Sequence, residues 1–183
     1  GHWRPYEEVI VPRNRTQYLP EEIITMGEIL KDAGYATGYF GKWHLGWEEQ
    51  YQPGNQGFET VNVYRGGGFF NYASRMTTPI PADSGKVLSE ALTDLSIDFI
   101  REHKASPFLL FLAHYDVHVQ LDADSLLIEK YLEKQAVEGY PCNAVYAAMI
   151  EHVDNSVGRI LNELDKLELS EETLVIFFSD NGG

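Results

Sequence analysis

Residues 34–46 read Gly-Tyr-Ala-Thr-Gly-Tyr-Phe-Gly-Lys-Trp-His-Leu-Gly, and this stretch decides how the rest of the chain is read. A helical pattern stops at Gly34, and the short apolar run Tyr35–Phe40 then predicts a strand. Lys42 and His44 follow at its end. Side chains alternate along an extended segment, so Lys42 and His44 project together while Trp43 turns into the protein. An ammonium and an imidazole held there suit an anionic group that must be gripped and supplied with a proton. Spacing alone leaves a second reading open, in which a loop lysine stands beside a histidine packed on tryptophan.

The elements around that stretch fix the fold class. Ahead of it, Pro20–Ala33 has helical spacing at Ile23, Met26, Leu30 and Ala33, with Glu21 and Glu22 at its start and Gly34 as its stop. A region over about 47–83 is rich in Gly, Pro, Asn and Tyr and is read as irregular, shaping substrate access. Its Gly66-Gly67-Gly68 triplet lacks the spacing of a nucleotide-binding loop. A second helix is predicted over Ser84–Lys104, and Pro107 separates it from the apolar run Phe108–Ala113, a strand buried on both faces. A short surface helix over 123–136 follows. A long helix over Asn143–Leu167 carries Tyr146, Ile150, Val153, Val157, Ile160, Leu164 and Leu167 at heptad spacing. Its Glu151, His152 and Asp154 read as a solvated or hydrogen-bonded face. Leu174–Phe178 is a further apolar run, expected to be a third strand. Helices alternating with strands predict an α/β fold, a mostly parallel sheet with helices on both faces.

In such sheets ligands bind outside the carboxyl ends of the strands. Each predicted strand ends there in polar residues: Lys42 and His44, then His114, Asp116 and His118, then Asp180 and Asn181. If the chain stays extended past Ala113, His114, Asp116 and His118 share one face. Asp180 and Asn181 offer hard oxygen donors of the kind calcium or magnesium prefers, and an Asp-Asn-Gly turn is the alternative reading. Two such donors are too few for a cation site. A metal, a lysine and histidines around an anion suit hydrolysis of an ester of a strong oxyacid, without distinguishing sulfate from phosphate.

Composition bounds the rest. With 14 Lys and Arg against 28 Asp and Glu, the formal net charge is −14, which argues against a nucleic-acid partner. No apolar run approaches the roughly 20 residues of a membrane span. The lone cysteine, Cys142, forms no internal disulfide and is expected to be a small, semi-buried residue. Asn14-Arg15-Thr16 fits the N-glycosylation triplet. The chain starts Gly1-His2-Trp3 and ends on Asp180-Asn181-Gly182-Gly183, and is expected to be a piece of a longer protein.

Two segments resemble a known family. Gly-Tyr-Ala-Thr…Gly-Lys-Trp-His-Leu-Gly is similar to the second signature of the sulfatases, and Phe177-Phe178-Ser179-Asp180-Asn181-Gly182-Gly183 resembles their metal-binding segment. The resemblance implies an alkaline-phosphatase-like α/β fold, present in part, and an extracytoplasmic compartment. It also implies one calcium or similar divalent ion, and a formylglycine made from Cys or Ser in Cys/Ser-x-Pro-x-Arg. By motif, Lys42 would contact the sulfate, His44 would support the nucleophile, and His118 would contact the sulfate and protonate the leaving oxygen. Asp180 and Asn181 would be two calcium ligands. Val119-Gln120 stands where the family usually has Thr-Pro or similar after that histidine. Cys/Ser-x-Pro-x-Arg does not occur, and Cys142 precedes Asn143-Ala144-Val145-Tyr146. The nucleophile is therefore expected upstream of this chain, within the same single catalytic domain, and the chain alone is expected to be inactive. The substrate would be a sulfate-ester small molecule or a sulfated glycan, and unpaired sheet edges would favour self-association. The rival readings are a phosphoesterase or phosphonate hydrolase of the same superfamily, a non-catalytic homologue that binds sulfated glycans, and a helix-mediated interaction protein.

Overall fold

The computed structural model describes residues 17–81, 85–140 and 142–179. The Arg-containing arm before residue 17, the Asn14 triplet, Asp180 and Asn181 lie outside the described residues.

The first helix, α1, spans Met26–Asp32 and is shorter than the pattern from Pro20 predicts. Thr25 sets its start. The Thr25 hydroxyl accepts from the Glu28 amide at 3.2 Å, while the Glu28 carboxylate accepts from the Thr25 amide at 2.7 Å. This reciprocal pair satisfies amides that the first turn would leave bare. Thr25 also donates to the Gln56 carbonyl at 2.7 Å, tying the helix to the loop beyond the first strand. Thr25→Ala is expected to cost about 1 kcal/mol, read as a lower urea midpoint with unchanged slope.

Strand β1 spans Ala36–Lys42, β2 Thr60–Tyr64 and β3 Phe108–Ala113, and the sheet runs β2-β1-β3 with both pairings parallel. Strand β2 lies inside the stretch read from sequence as irregular. The run Leu174–Phe178, read as a strand, is not one. It pairs with no described strand, and its large side chains are exposed, Phe178 by 84%. An apolar run becomes a strand only where a neighbour completes its hydrogen bonds.

Helix α2, Leu88–His103, covers one sheet face, and α4, Ala144–Lys166, packs against both α2 and α3, Ser125–Glu133. Phe40, Tyr64 and Phe99 lie in the larger core on the α2 side, with Leu110 and Leu112 against it. Gly38 is required there, since a Cβ at that position would come 2.9 Å from the Phe99 ring. Tyr39, Trp43, Phe58 and Val63 form a second core, and α1 approaches Phe58 through Gly27.

Of the heptad positions of α4 only Leu164 is fully buried, most of the others being half-buried. Ile150 is exposed, whereas Met149, His152, Ser156 and Glu163 are buried. The polar members of that buried set have partners: Glu163 accepts from Arg101 of α2 at 2.7 Å, and Ser156 meets Thr93 of α2 at 2.5 Å. Of the two readings for this face, His152 takes the hydrogen-bonded one: it is buried, its Nε2 atom accepting from the Asp124 amide at 3.4 Å. The α2–α4 seam is therefore specified by satisfied polar pairs as well as by apolar burial of Ala148 and Met149. Cys142 is exposed, against the semi-buried position expected for it.

Candidate active site

The carboxyl ends of β1 and β3 lie side by side, because Gly41 pairs with Ala113. Lys42 is the last residue of β1. Its backbone carbonyl accepts from the Tyr39 hydroxyl at 2.5 Å, and burial raises the pKa of that hydroxyl well above the ordinary value, keeping it a donor. Trp43 turns inward, as alternation predicts, and its indole N–H donates to the Tyr51 carbonyl at 2.9 Å. These two bonds fix the backbone on either side of the Lys42 side chain.

The Lys42 ammonium lies 5.6 Å from the centroid of the Tyr115 ring, and the His118 ring lies 5.0 Å from the same centroid. Tyr115 is therefore the hub that brings two sequence-predicted site residues into one place. It is held by Tyr64 and Phe69, at ring separations of 5.2 and 5.5 Å. Sequence alternation turns Tyr115 away from His114 and Asp116 and gave no reason to select it. His44 is exposed, its ring 6.0 Å from that of Trp47, which is itself 62% exposed.

Past Ala113 the chain does not stay extended. A turn closes with the His118 amide donating to the Tyr115 carbonyl at 3.0 Å. His114 and Asp116 consequently go inward while His118 is exposed, so the expected single face of three residues does not form. The His118 Nδ1 atom lies against its own residue's neighbour, the Val119 carbonyl. A carbonyl only accepts, so Nδ1 carries a hydrogen and Nε2 is left for proton exchange.

Both Asp116 oxygens are buried without a hydrogen-bond partner among the described residues, and burial pushes its carboxyl from 3.8 up to about 7. Burial likewise pulls His114 from 6.5 down to about 4. The two act oppositely on stability. Native Asp116 keeps a proton that the unfolded chain releases, so it removes stability as pH rises from about 4 to about 7. Native His114 lacks a proton that the unfolded chain takes up, so stability falls as pH drops from about 6.5 to about 4. Asp116→Asn is expected to stabilise the chain by about 2 kcal/mol at slightly alkaline pH and to leave it more acid-sensitive, as urea midpoints across pH would record.

Among the described residues no group of three or more His, Cys, Asp or Glu side chains could hold a metal ion. No helix among them is long and apolar enough to cross a membrane.

The profile of the family described as Sulfatase matches residues 4–183. A protein described as Sulfatase from Formosa agariphila is 29% identical over 229 residues, spanning 95% of this chain and 41% of its own length. The N-acetylgalactosamine-6-sulfatase of Rattus norvegicus is 31% identical over 202 residues, spanning 92% and 36%. Among solved structures, Ps i-CgsB in complex with k-i-k-neocarrahexaose aligns with a TM-score of 0.71 at 21% identity, over 86% of this chain and 40% of that one. At that identity the likeness speaks for the fold, which is the alkaline-phosphatase-like α/β architecture. The chain spans about two fifths of the length of the Formosa agariphila relative.

Proposed function

This chain belongs to the sulfatase family, and on that premise we propose that it supplies the Lys42/His118 side of a site that hydrolyses sulfate esters. The observation that carries this reading is that the Lys42 ammonium and the His118 ring lie 5.6 and 5.0 Å from the centroid of one ring, Tyr115, at the carboxyl edge of a parallel sheet. Lys42 neutralises charge on the sulfate oxygens. As the S–O bond to the alcohol breaks, the His118 imidazolium gives its Nε2 proton to the departing oxygen and is left neutral. His44, at the end of the same strand as Lys42, supports the nucleophile.

The nucleophile is proposed to lie outside these 183 residues, within one catalytic domain to which they contribute, because Cys/Ser-x-Pro-x-Arg is absent and the exposed Cys142 has the wrong neighbours. The purified chain is accordingly expected to show no turnover of an aryl sulfate; turnover would overturn this placement. Asp180 and Asn181 are proposed to give a calcium ion two of its oxygen ligands, the others coming from outside the chain. Calorimetric titration of calcium into the chain should then show binding no tighter than about millimolar, the weak end of calcium modules, unchanged by Asp180→Ala. Tight binding lost in that variant would mean that the chain completes its own metal site.

A sulfated glycan is the favoured substrate class. Relatives named for N-acetylgalactosamine 6-sulfate and a neighbour solved with a neocarrahexaose support it. So does the exposed indole of Trp47 beside His44, since a flat aromatic face suits the apolar face of a pyranose. The outer edge of β2 is covered by residues 75–78, through the Thr77 amide donating to the Val63 carbonyl at 2.9 Å, whereas that of β3 pairs with no strand among the described residues and is the basis for proposing self-association of the isolated chain.

A further inference from the structure

His114 takes no part in the chemistry above, yet it ends a buried line of hydroxyls that crosses from α2 through α4 to the turn after β3. Its Nε2 atom lies 3.0 Å from the Ser156 Oγ, which lies 2.5 Å from the Thr93 Oγ1, which lies 2.6 Å from the Ser89 carbonyl oxygen. The order of protons along this line follows from counting hydrogens. A carbonyl oxygen only accepts, so at 2.6 Å the single Thr93 hydroxyl hydrogen belongs to that contact. Thr93 can then only accept from Ser156, which spends the single Ser156 hydrogen. Ser156 can in turn only accept from His114, so Nε2 must carry a hydrogen. The opposite order would leave two oxygens 2.6 Å apart with no proton between them.

We propose that His114 is a positioning residue of this site: a neutral imidazole, locked as the Nε2–H tautomer by a one-way chain of hydroxyls, that pins the turn bearing Tyr115 and His118 to α4. The low proton affinity that burial gives His114 agrees with this, since a second proton at Nδ1 would have to enter without a partner. The lock matters because the turn bearing Tyr115 and His118 begins at His114, and the Tyr115 ring neighbours both Lys42 and His118. That the pinned turn serves sulfate esters rests on the function proposed above; the proton order does not.

The test is long-range ¹H–¹⁵N spectroscopy of the histidine-labelled chain. His114 should appear as a single neutral tautomer, protonated at Nε2, and should not titrate across about pH 5 to 8, the range in which an ordinary histidine does. Ser156→Ala should end the single-tautomer signature and weaken the cross-peaks between the Tyr115 and His118 rings. Ser156→Thr, which returns the hydroxyl, should restore both. Should Ser156→Ala fail to fold, Thr93→Val serves: it frees the Ser156 hydrogen to point at His114, and the Nδ1–H tautomer should then be populated. Nδ1–H in the unmodified chain, or a tautomer and ring contact indifferent to these substitutions, would overturn the proposal. Failure of the sulfatase reading alone would leave all these signals as described, so the two failures are distinguishable.

Discussion

Gly41→Ala is expected to lower the stability of the chain by roughly 3–5 kcal/mol. Gly41 sits in β1 at φ +115, a conformation that side chains rarely adopt, and this alone costs on the order of 1–3 kcal/mol. A Cβ there would also collide with the Ala113 carbonyl of the paired strand, and overpacking of that kind costs about 1–3 kcal/mol more. The neighbour is backbone, so no side chain can swing aside to relieve it. Because β1 and the turn after β3 would part where Lys42 reaches Tyr115, the same substitution should also abolish the contact of the Lys42 ammonium with the Tyr115 ring. Urea denaturation of the chain measures the first effect and cross-peaks between the Lys42 side chain and the Tyr115 ring the second. A shift under about 1 kcal/mol would mean that the strands are not so closely joined at Gly41.

Lys42→Ala, made in the complete catalytic domain, is expected to reduce kcat/KM for a sulfate ester about 10²–10³-fold, the loss typical of removing one group aimed at developing oxyanion charge. Tyr115 keeps the ammonium oriented by its ring face, so the lysine presents its charge with little reorganisation. Lys42→Arg should recover part of the loss, because the charge returns on a planar, branched head that cannot occupy the same point. Both variants should fold, since Lys42 lies at a strand end and its structural bond is made by the backbone carbonyl. A loss smaller than about threefold in the alanine variant would remove Lys42 from the site.

How much of this was legible in the sequence differs from element to element. Strands β1 and β3 announce themselves as short apolar runs bounded by Gly34 and Pro107, and the inward turn of Trp43 follows from alternation alone. Strand β2 was hidden. Asn62 interrupts its five residues, and that side chain is buried because it bonds the Thr78 carbonyl at 2.9 Å and the Thr78 amide at 3.0 Å. The partner that makes β2 a strand is β1, which no local pattern reveals. Leu174–Phe178 shows the converse: strong local propensity, with no neighbour among the described residues to complete it.

The site divides in the same way. Lys42 and His118 were selected by motif and position, and each lies against the Tyr115 ring. His114 and Asp116 were grouped with His118 on the assumption of an extended chain, but the turn closed by the His118 amide sends them inward. Ser156 and Thr93, which set the proton on His114, lie far away in sequence on two helices. Only packing brings them together. Had α4 been read by its small polar residues rather than by its heptads, Ser156 would have stood out as the residue on the buried stripe.

The most direct measurement is a comparison of kcat/KM for an aryl sulfate and the matching aryl phosphate, using the complete catalytic domain, with Lys42→Ala and His118→Ala beside it. A site of the kind described here turns over the sulfate ester in preference to the phosphate, and loses that activity in both variants. Preferential turnover of the phosphate, or sulfate turnover undiminished in either variant, would contradict the assignment of this strand edge to sulfate-ester hydrolysis.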